Sequence, residues 1–203
     1  MNELLLKPNI RNDINEIKKL VDAGANINYK NGELFLYACE NNNMTIVSYL
    51  LFKRIKTNFN EAMFISIQNN NIKIVELLLK KVNIFKILKK CYSIASEKNR
   101  IDIIKFFVNL KYYNDDSIDV MLWTACRKNN MDLVNYVFEK FVPNFCQLDT
   151  ALRISFLYER YEIIDLLIKH GASVLTFNNF CLKIAESTGN EKLKKIYFQN
   201  KCF

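Results

Sequence analysis

Glycine and proline are scarce in this chain of 203 residues, which has four Gly and two Pro. Their scarcity excludes collagen-like and Pro/Gly-rich low-complexity classes. It also disfavours an all-β fold, which needs a tight turn about every ten residues. Gly24, Gly32, Gly171 and Gly189 have neither Walker-loop nor dinucleotide-fingerprint spacing. Histidine is scarcer still: His170 stands alone, so no Cys-His pair recurs and no multi-His metal site can be assembled. It precedes Gly171 and reads as the last turn of a helix, where an imidazolium meets a favourable dipole. The six cysteines are Cys39, Cys91, Cys126, Cys146, Cys181 and Cys202, and none forms a C-x-x-C pair. They read as reduced and mostly packed thiols.

Long apolar runs are missing too. None approaches the ~20 residues that span a bilayer, and the N-terminus lacks a basic segment followed by an apolar one. The expectation is an intracellular, cytoplasmic protein without membrane insertion. No catalytic, cofactor or metal constellation is visible, so no enzyme is expected. The pair Asp115-Asp116 reads as a helix start rather than an acid/base dyad. What the chain has is 50% hydrophobic and 25% charged residues, the balance of a folded protein. Asn occurs 27 times, with many Ile and Lys. That bias reads as the product of an AT-rich genome, bearing on source rather than chemistry.

The net charge of +8 is unevenly placed. Residues 1–49 carry −1, residues 50–111 carry +9 and residues 112–203 carry 0. The basic block includes Lys53, Arg54, Lys56, Lys80, Lys81, Lys86, Lys89 and Lys90, expected largely at second-helix ends and in following loops. Such a block attracts nucleic acid, anionic lipid or an acidic protein, or is a solvated face.

A repeat organises the whole chain. The apolar anchors Ile14, Met44, Ile72, Ile101, Met131 and Tyr161 are spaced by 30, 28, 29, 30 and 30 residues, and a further step reaches Glu191. Apolar residues recur at +3, +6 and +7 from each anchor, as in Val47, Leu50, Leu51 and Val75, Leu78, Leu79. Those offsets share one face of a helix. In the last copy Leu193, Ile196, Tyr197 and Phe198 supply a comparable face, and Phe106, Phe107, Phe138 and Phe198 read as core. A small residue stands six positions before each anchor: Ala38, Ser66, Ala95, Ala125, Ser155 and Ala185. It lets a shorter preceding helix pack closely. Each unit is therefore a helix-turn-helix that must stack on its neighbours to bury both faces.

These residues resemble ankyrin repeats. Leu20-Val21-Asp22-Ala23-Gly24-Ala25-Asn26-Ile27-Asn28 and Leu167-Ile168-Lys169-His170-Gly171-Ala172-Ser173-Val174 look like the family's helix end and loop. Thr150-Ala151-Leu152-Arg153 stands where the family starts its first helix with Thr-Pro-Leu-His. The period is short against the family's about 33 residues, so clipped hairpin fingers are expected. Pro8 interrupts the first copy, which is expected to be a partial cap. The Asn-rich turn, short period and composition resemble divergent short-period ankyrin proteins of large AT-rich DNA viruses, of poxvirus or giant-virus type, and amoebal or intracellular bacterial proteins look similar. The resemblance implies an all-α ankyrin-repeat solenoid of about seven units, in one domain over 1–203. The approximate units are 1–30, 31–58, 59–87, 88–117, 118–147, 148–177 and 178–203.

The resemblance also implies a non-catalytic scaffold that binds a partner protein, of host or cellular origin, on a concave face of first helices and loop tips. A small-molecule substrate is not expected. The variable polar positions there are Glu40-Asn41, Gln68-Asn69, Glu97-Lys98, Arg127-Lys128 and Leu157-Tyr158. Trp123 falls at the first-helix His position, where it either fills an inter-repeat gap or projects as a binding anchor. No recruitment tail is visible after the last copy, so binding or sequestration is expected. The alternative is nucleic-acid or anionic-surface binding through residues 50–111.

Overall fold

A computed structural model describes residues 1–201; Cys202 lies outside the described residues. Every regular element among them is helical and no strand is present. A 3₁₀ segment, Asn2–Leu6, stops before Pro8 and is followed by α1 (Ile14–Asp22). The expected partial cap is what forms. Six helix pairs follow: α2 (Tyr29–Glu40) with α3 (Met44–Phe52), α4 (Phe59–Gln68) with α5 (Ile72–Leu79), and α6 (Ile84–Glu97) with α7 (Ile101–Asn109). Then come α8 (Asp115–Lys128) with α9 (Met131–Lys140), α10 (Phe145–Leu157) with α11 (Tyr161–Lys169), and α12 (Thr176–Ser187) with α13 (Glu191–Asn200). The chain divides into two compact units, residues 1–112 and residues 113 onward. In the first, α2, α4 and α6 lie side by side, as do α3, α5 and α7; in the second, α8, α10 and α12 do so.

The period of about 30 survives an exchange between loop and helix. Where the connection keeps a glycine, at Gly24 and Gly171, the next first helix opens with three left-handed residues. These are Lys30, Asn31 and Gly32 in one copy and Phe177, Asn178 and Asn179 in the other. A Cβ on Gly32 would stand 2.9 Å from Thr57 Cβ, so only glycine fits that turn. Elsewhere the finger is clipped: residues 80–83, 110–114 and 141–144 alone join α5 to α6, α7 to α8 and α9 to α10. There the lost loop becomes helix, and α6 and α8 reach 14 residues each. The expected unit borders at 87/88, 117/118 and 147/148 therefore fall inside α6, α8 and α10.

Asparagine has a structural use that corrects its reading as a mark of source alone. Inside each pair one residue turns the chain with positive φ: Asn42, Asn70, Asn99, Asn129, Glu159 and Gly189. Asn tolerates the left-handed region that most side chains avoid. The following residue opens the second helix, and Asn43, Asn130 and Asn190 accept from the backbone of Ile46, Leu133 and Leu193. Each such cap is worth about 1 kcal/mol.

The same position ties one copy to the one before it. Asn71 Nδ2 donates to Cys39 O at 2.7 Å, Arg100 Nε to Gln68 O at 2.9 Å and Arg160 Nη2 to Arg127 O at 3.2 Å. These side chains donate to carbonyls at the C-terminal ends of the preceding first helices, where helices leave acceptors over; Cys39 O also accepts a long bond from Asn42 N at 3.4 Å. Ala38, Ser66, Ala95, Ala125, Ser155 and Ala185 are all buried. The +3 residues Ile17, Val47, Val75, Ile104, Val134 and Ile164 are fully buried, each contributing about 1.5–3 kcal/mol. Two expectations change. The +7 residues Leu51, Leu79, Val108, Phe138 and Ile168 are only half-buried, while the +2 residues Ile46, Ile74, Ile103, Leu133 and Ile163 are core. Phe107 is buried, Phe106 and Phe138 are half-buried and Phe198 is exposed.

Candidate binding face

Each first helix buries one face against its partner and its neighbours and leaves one stripe toward solvent. In α2 the stripe is Glu33, Leu36, Tyr37 and Glu40; in α4 it is Glu61, Phe64, Ile65 and Gln68. In α6 it is Lys86, Lys90, Ser93 and Glu97. These spacings of three and four residues keep the side chains on one face. In the second unit the stripe is Asp119, Val120, Trp123 and Arg127 on α8, Thr150, Arg153, Ile154 and Leu157 on α10, and Phe180, Lys183, Ile184 and Ser187 on α12.

Glu40, Gln68, Glu97 and Arg127 stand on these stripes, in the last turn of their helices. Lys128 is the exposed last residue of α8. Asn41, Asn69, Lys98 and Tyr158 are the C-terminal caps of α2, α4, α6 and α10. Asn41 and Asn69 fold back and donate from Nδ2 to Tyr37 O and Ile65 O at 2.9 and 3.0 Å. Their amides thus finish their own helices. Sequence reasoning missed Leu36, Tyr37, Phe64 and Ile65. The available signal was the same helix face, one turn before Glu40 and Gln68.

The basic block is placed differently from the expectation. Lys53, Arg54 and Lys56 follow α3, and Lys80 and Lys81 follow α5, as expected. Lys86, Lys89 and Lys90, however, lie within α6, because the clipped finger there has become helix.

Trp123 is half-buried on its stripe, and its indole Nε1 is buried without a hydrogen-bond partner. It lines a cavity of about 250 Å³ between α8 and α10, with Asp115, Asp119, Asn144, Cys146, Gln147 and Thr150. Gln147 Nε2 donates to Asp119 Oδ1 at 2.6 Å, and Gln147 Oε1 accepts from Asn144 N at 2.9 Å. A second cavity of about 180 Å³ lies between α10 and α12, lined by Thr150, Arg153, Ile154, Leu157 and Phe180. Arg153 Nη2 donates to Thr150 Oγ1 at 2.9 Å and its guanidinium lies 3.3 Å above the Phe177 ring. Thr150 and Arg153 end the tetrapeptide that resembles the family motif, and this bond joins them.

The reactive groups are placed as packing elements. Cys39, Cys91, Cys126 and Cys181 are free, and burial pushes each thiol from 9.0 up to about 12. Ser66 beside Cys39 and Ser155 beside Cys126 work in the opposite direction through hydrogen bonds. Cys146 is exposed. His170 caps α11 and stacks on Phe138, with ring centres 3.9 Å apart. Asp115 and Asp116 open α8, where Asn114 and Ser117 form a reciprocal cap. No group of three or more His, Cys, Asp or Glu among the described residues is placed to hold a metal ion. No helix among them is long and apolar enough to cross a membrane.

Helix pairs repeated about every 30 residues, packed through small residues and exposing one stripe each, define an all-helical repeat protein. Residues 8–89 match the family model of ankyrin repeats in three copies. An ankyrin repeat protein of Acanthamoeba polyphaga mimivirus is 24% identical over 178 residues, covering 87% of this chain and 28% of that relative. Over residues 8–89 the chain is similar to ankyrin repeats, and over 178 residues it is similar to the ankyrin repeat protein of that giant virus. It spans under a third of the length of the relative it matches. Ankyrin repeats are generally protein-interaction modules and generally non-enzymatic.

Proposed function

We propose that the chain is a non-catalytic scaffold that binds a partner protein on the solvent-facing stripes of its first helices. A viral source would place that partner among host proteins. The observation carrying this reading is the half-buried apolar set Leu36, Tyr37, Phe64 and Ile65 beside the polar Glu40 and Gln68. Repeats of one backbone plan present different chemistry at equivalent positions, and aromatic anchors ringed by polar groups suit a protein interface. A photo-crosslinking residue placed at Phe64 tests it. A partner joined through Phe64, and not through the same residue at Lys80, is the expected result. Crosslinking only through Lys80 moves the interface to the basic flank.

A second reading keeps one specific observation. Lys86 and Lys90 stand one turn apart on the exposed stripe of α6. An anionic surface or nucleic acid bound there would dissociate steeply as salt rises. A salt titration of binding to a mixed-sequence oligonucleotide separates the two readings.

A further inference from the structure

The two cavities of the second unit share Thr150 and differ in chemistry. The one between α8 and α10 brings the carboxylates of Asp115 and Asp119 beside the indole of Trp123. Asp119 Oδ1 is held by Gln147, and its Oδ2 has no hydrogen-bond partner among the described residues. Carboxylate and aromatic face together attract a cation, whose charge both stabilise. Trp123 Nε1 is a donor in want of an acceptor, such as a peptide carbonyl. The neighbouring cavity presents Ile154, Leu157 and Phe180, with Leu157 half exposed at 50%. There Arg153 is held by Thr150 and stacked on Phe177, so its stem adds to an apolar wall.

We propose that the stripes of α8, α10 and α12 bind a partner segment with a basic side chain in the Asp119–Trp123 cavity and a bulky apolar side chain in the Ile154–Leu157–Phe180 cavity. This rests on the protein-binding reading above and names the chemistry of the partner. Neighbouring packed helices are about 8–10 Å apart, and an extended chain advances about 3.3 Å per residue. The basic and apolar residues therefore stand about three positions apart in the bound segment.

Trp123 is the sole tryptophan, so its emission reports on the first cavity directly. The probes are labelled Gly/Ser peptides carrying Arg and Leu three positions apart, titrated into the full chain. Control peptides replace Arg by Glu or Leu by Ser. The expected result is binding of the Arg/Leu peptide with a change in Trp123 emission. Either control, and either Asp119→Asn or Leu157→Glu in the protein, should weaken it about tenfold or more. Asp119→Asn keeps an acceptor for Gln147, so the local fold is retained. Equal binding of Arg and Glu peptides, a silent Asp119→Asn, or no binding of the Arg/Leu peptide overturns the proposal. Crosslinking of a partner through Phe64, together with a silent Asp119→Asn in the peptide titration, would leave the wider reading standing and remove this one.

Discussion

Asn71 Nδ2 donates to the carbonyl of Cys39 at 2.7 Å, across 32 residues of sequence. Asn71 is buried, and it opens α5 without capping that helix itself. The side chain spends its amide on the preceding copy instead. Arg100 and Arg160 repeat the relationship with Gln68 and Arg127. Stacking is thus specified by directed polar bonds as well as by apolar burial.

Asn71→Ala removes that bond and leaves the Cys39 carbonyl with the long 3.4 Å bond from Asn42 N in its place. The expected loss is about 1–3 kcal/mol, read from the urea midpoint of the full chain. Asn41→Ala, which removes only an exposed bond to Tyr37 O, should cost clearly less. Equal losses would show that the link between copies carries no special weight.

The left-handed turns predict opposite effects of two substitutions at one site. Asn129 has φ 57° and ψ 38°. Asn129→Gly should be close to neutral, because glycine enters this region freely. Asn129→Val should cost about 1–2 kcal/mol through its Cβ clash. Glu159 holds the equivalent turn with φ 57°, and Glu159→Gly should raise the melting temperature. A fall on Glu159→Gly would mean that the side chain contributes more than its backbone strain.

The buried thiols make alkaline pH destabilising. Burial raises Cys39, Cys91, Cys126 and Cys181 from 9.0 to about 12 in the folded chain. Below about pH 9 both states keep the protons and the contribution is whole. Above it the unfolded thiols ionise first, so stability falls progressively toward about pH 12. Urea midpoints at pH 8 and pH 10 should show the drop, and it should shrink in Cys91→Ala. A thiol reagent at pH 8 should modify exposed Cys146 and leave the four buried thiols intact in the folded protein. Rapid labelling of Cys126 would contradict the packing described.

Val75→Asp puts a charge where the native side chain is fully buried. An unpaired buried charge costs several kcal/mol against a total stability of about 5–15 kcal/mol. Circular dichroism should show loss of the folded baseline, whereas Glu76→Lys, one residue on and exposed, should leave it. An unchanged melting temperature for Val75→Asp would contradict the register of the repeat.

Much of this was legible from spacing alone. The small residues before each anchor and the apolar residues at +3 are buried as their periodicity requires. The +2 residues, such as Ile46 and Ile163, were missed because the offsets +3, +6 and +7 pass over +2, which at about 100° per residue lies beside +6 on the helix. The exchange of finger for helix left no trace in the period: residues 84–90 combine loop-like placement with helical spacing. On the candidate face, Glu40, Gln68 and Arg127 were legible because polar residues on an otherwise apolar helix mark the solvent side. Leu36, Phe64 and Ile154 were not, since an apolar residue at helical spacing reads as core. Only the packing of neighbouring first helices leaves them half-buried.

The central claim is that partner binding uses the first-helix stripes and not the basic flank. Its most direct test is the affinity of a Phe64-crosslinked partner for two charge-reversed full chains. Glu40→Lys with Glu61→Lys alters the α2 and α4 stripes beside Phe64; Lys80→Glu with Lys81→Glu alters the connection after α5. Both pairs lie on the surface and should change stability by under about 0.5 kcal/mol. The account predicts that the first pair weakens binding at every salt concentration. The second should act only at low salt, fading as the Debye length shortens to about 3 Å at 1 M. Abolition of binding by the Lys80 and Lys81 pair, with the Glu40 and Glu61 pair silent, would contradict it.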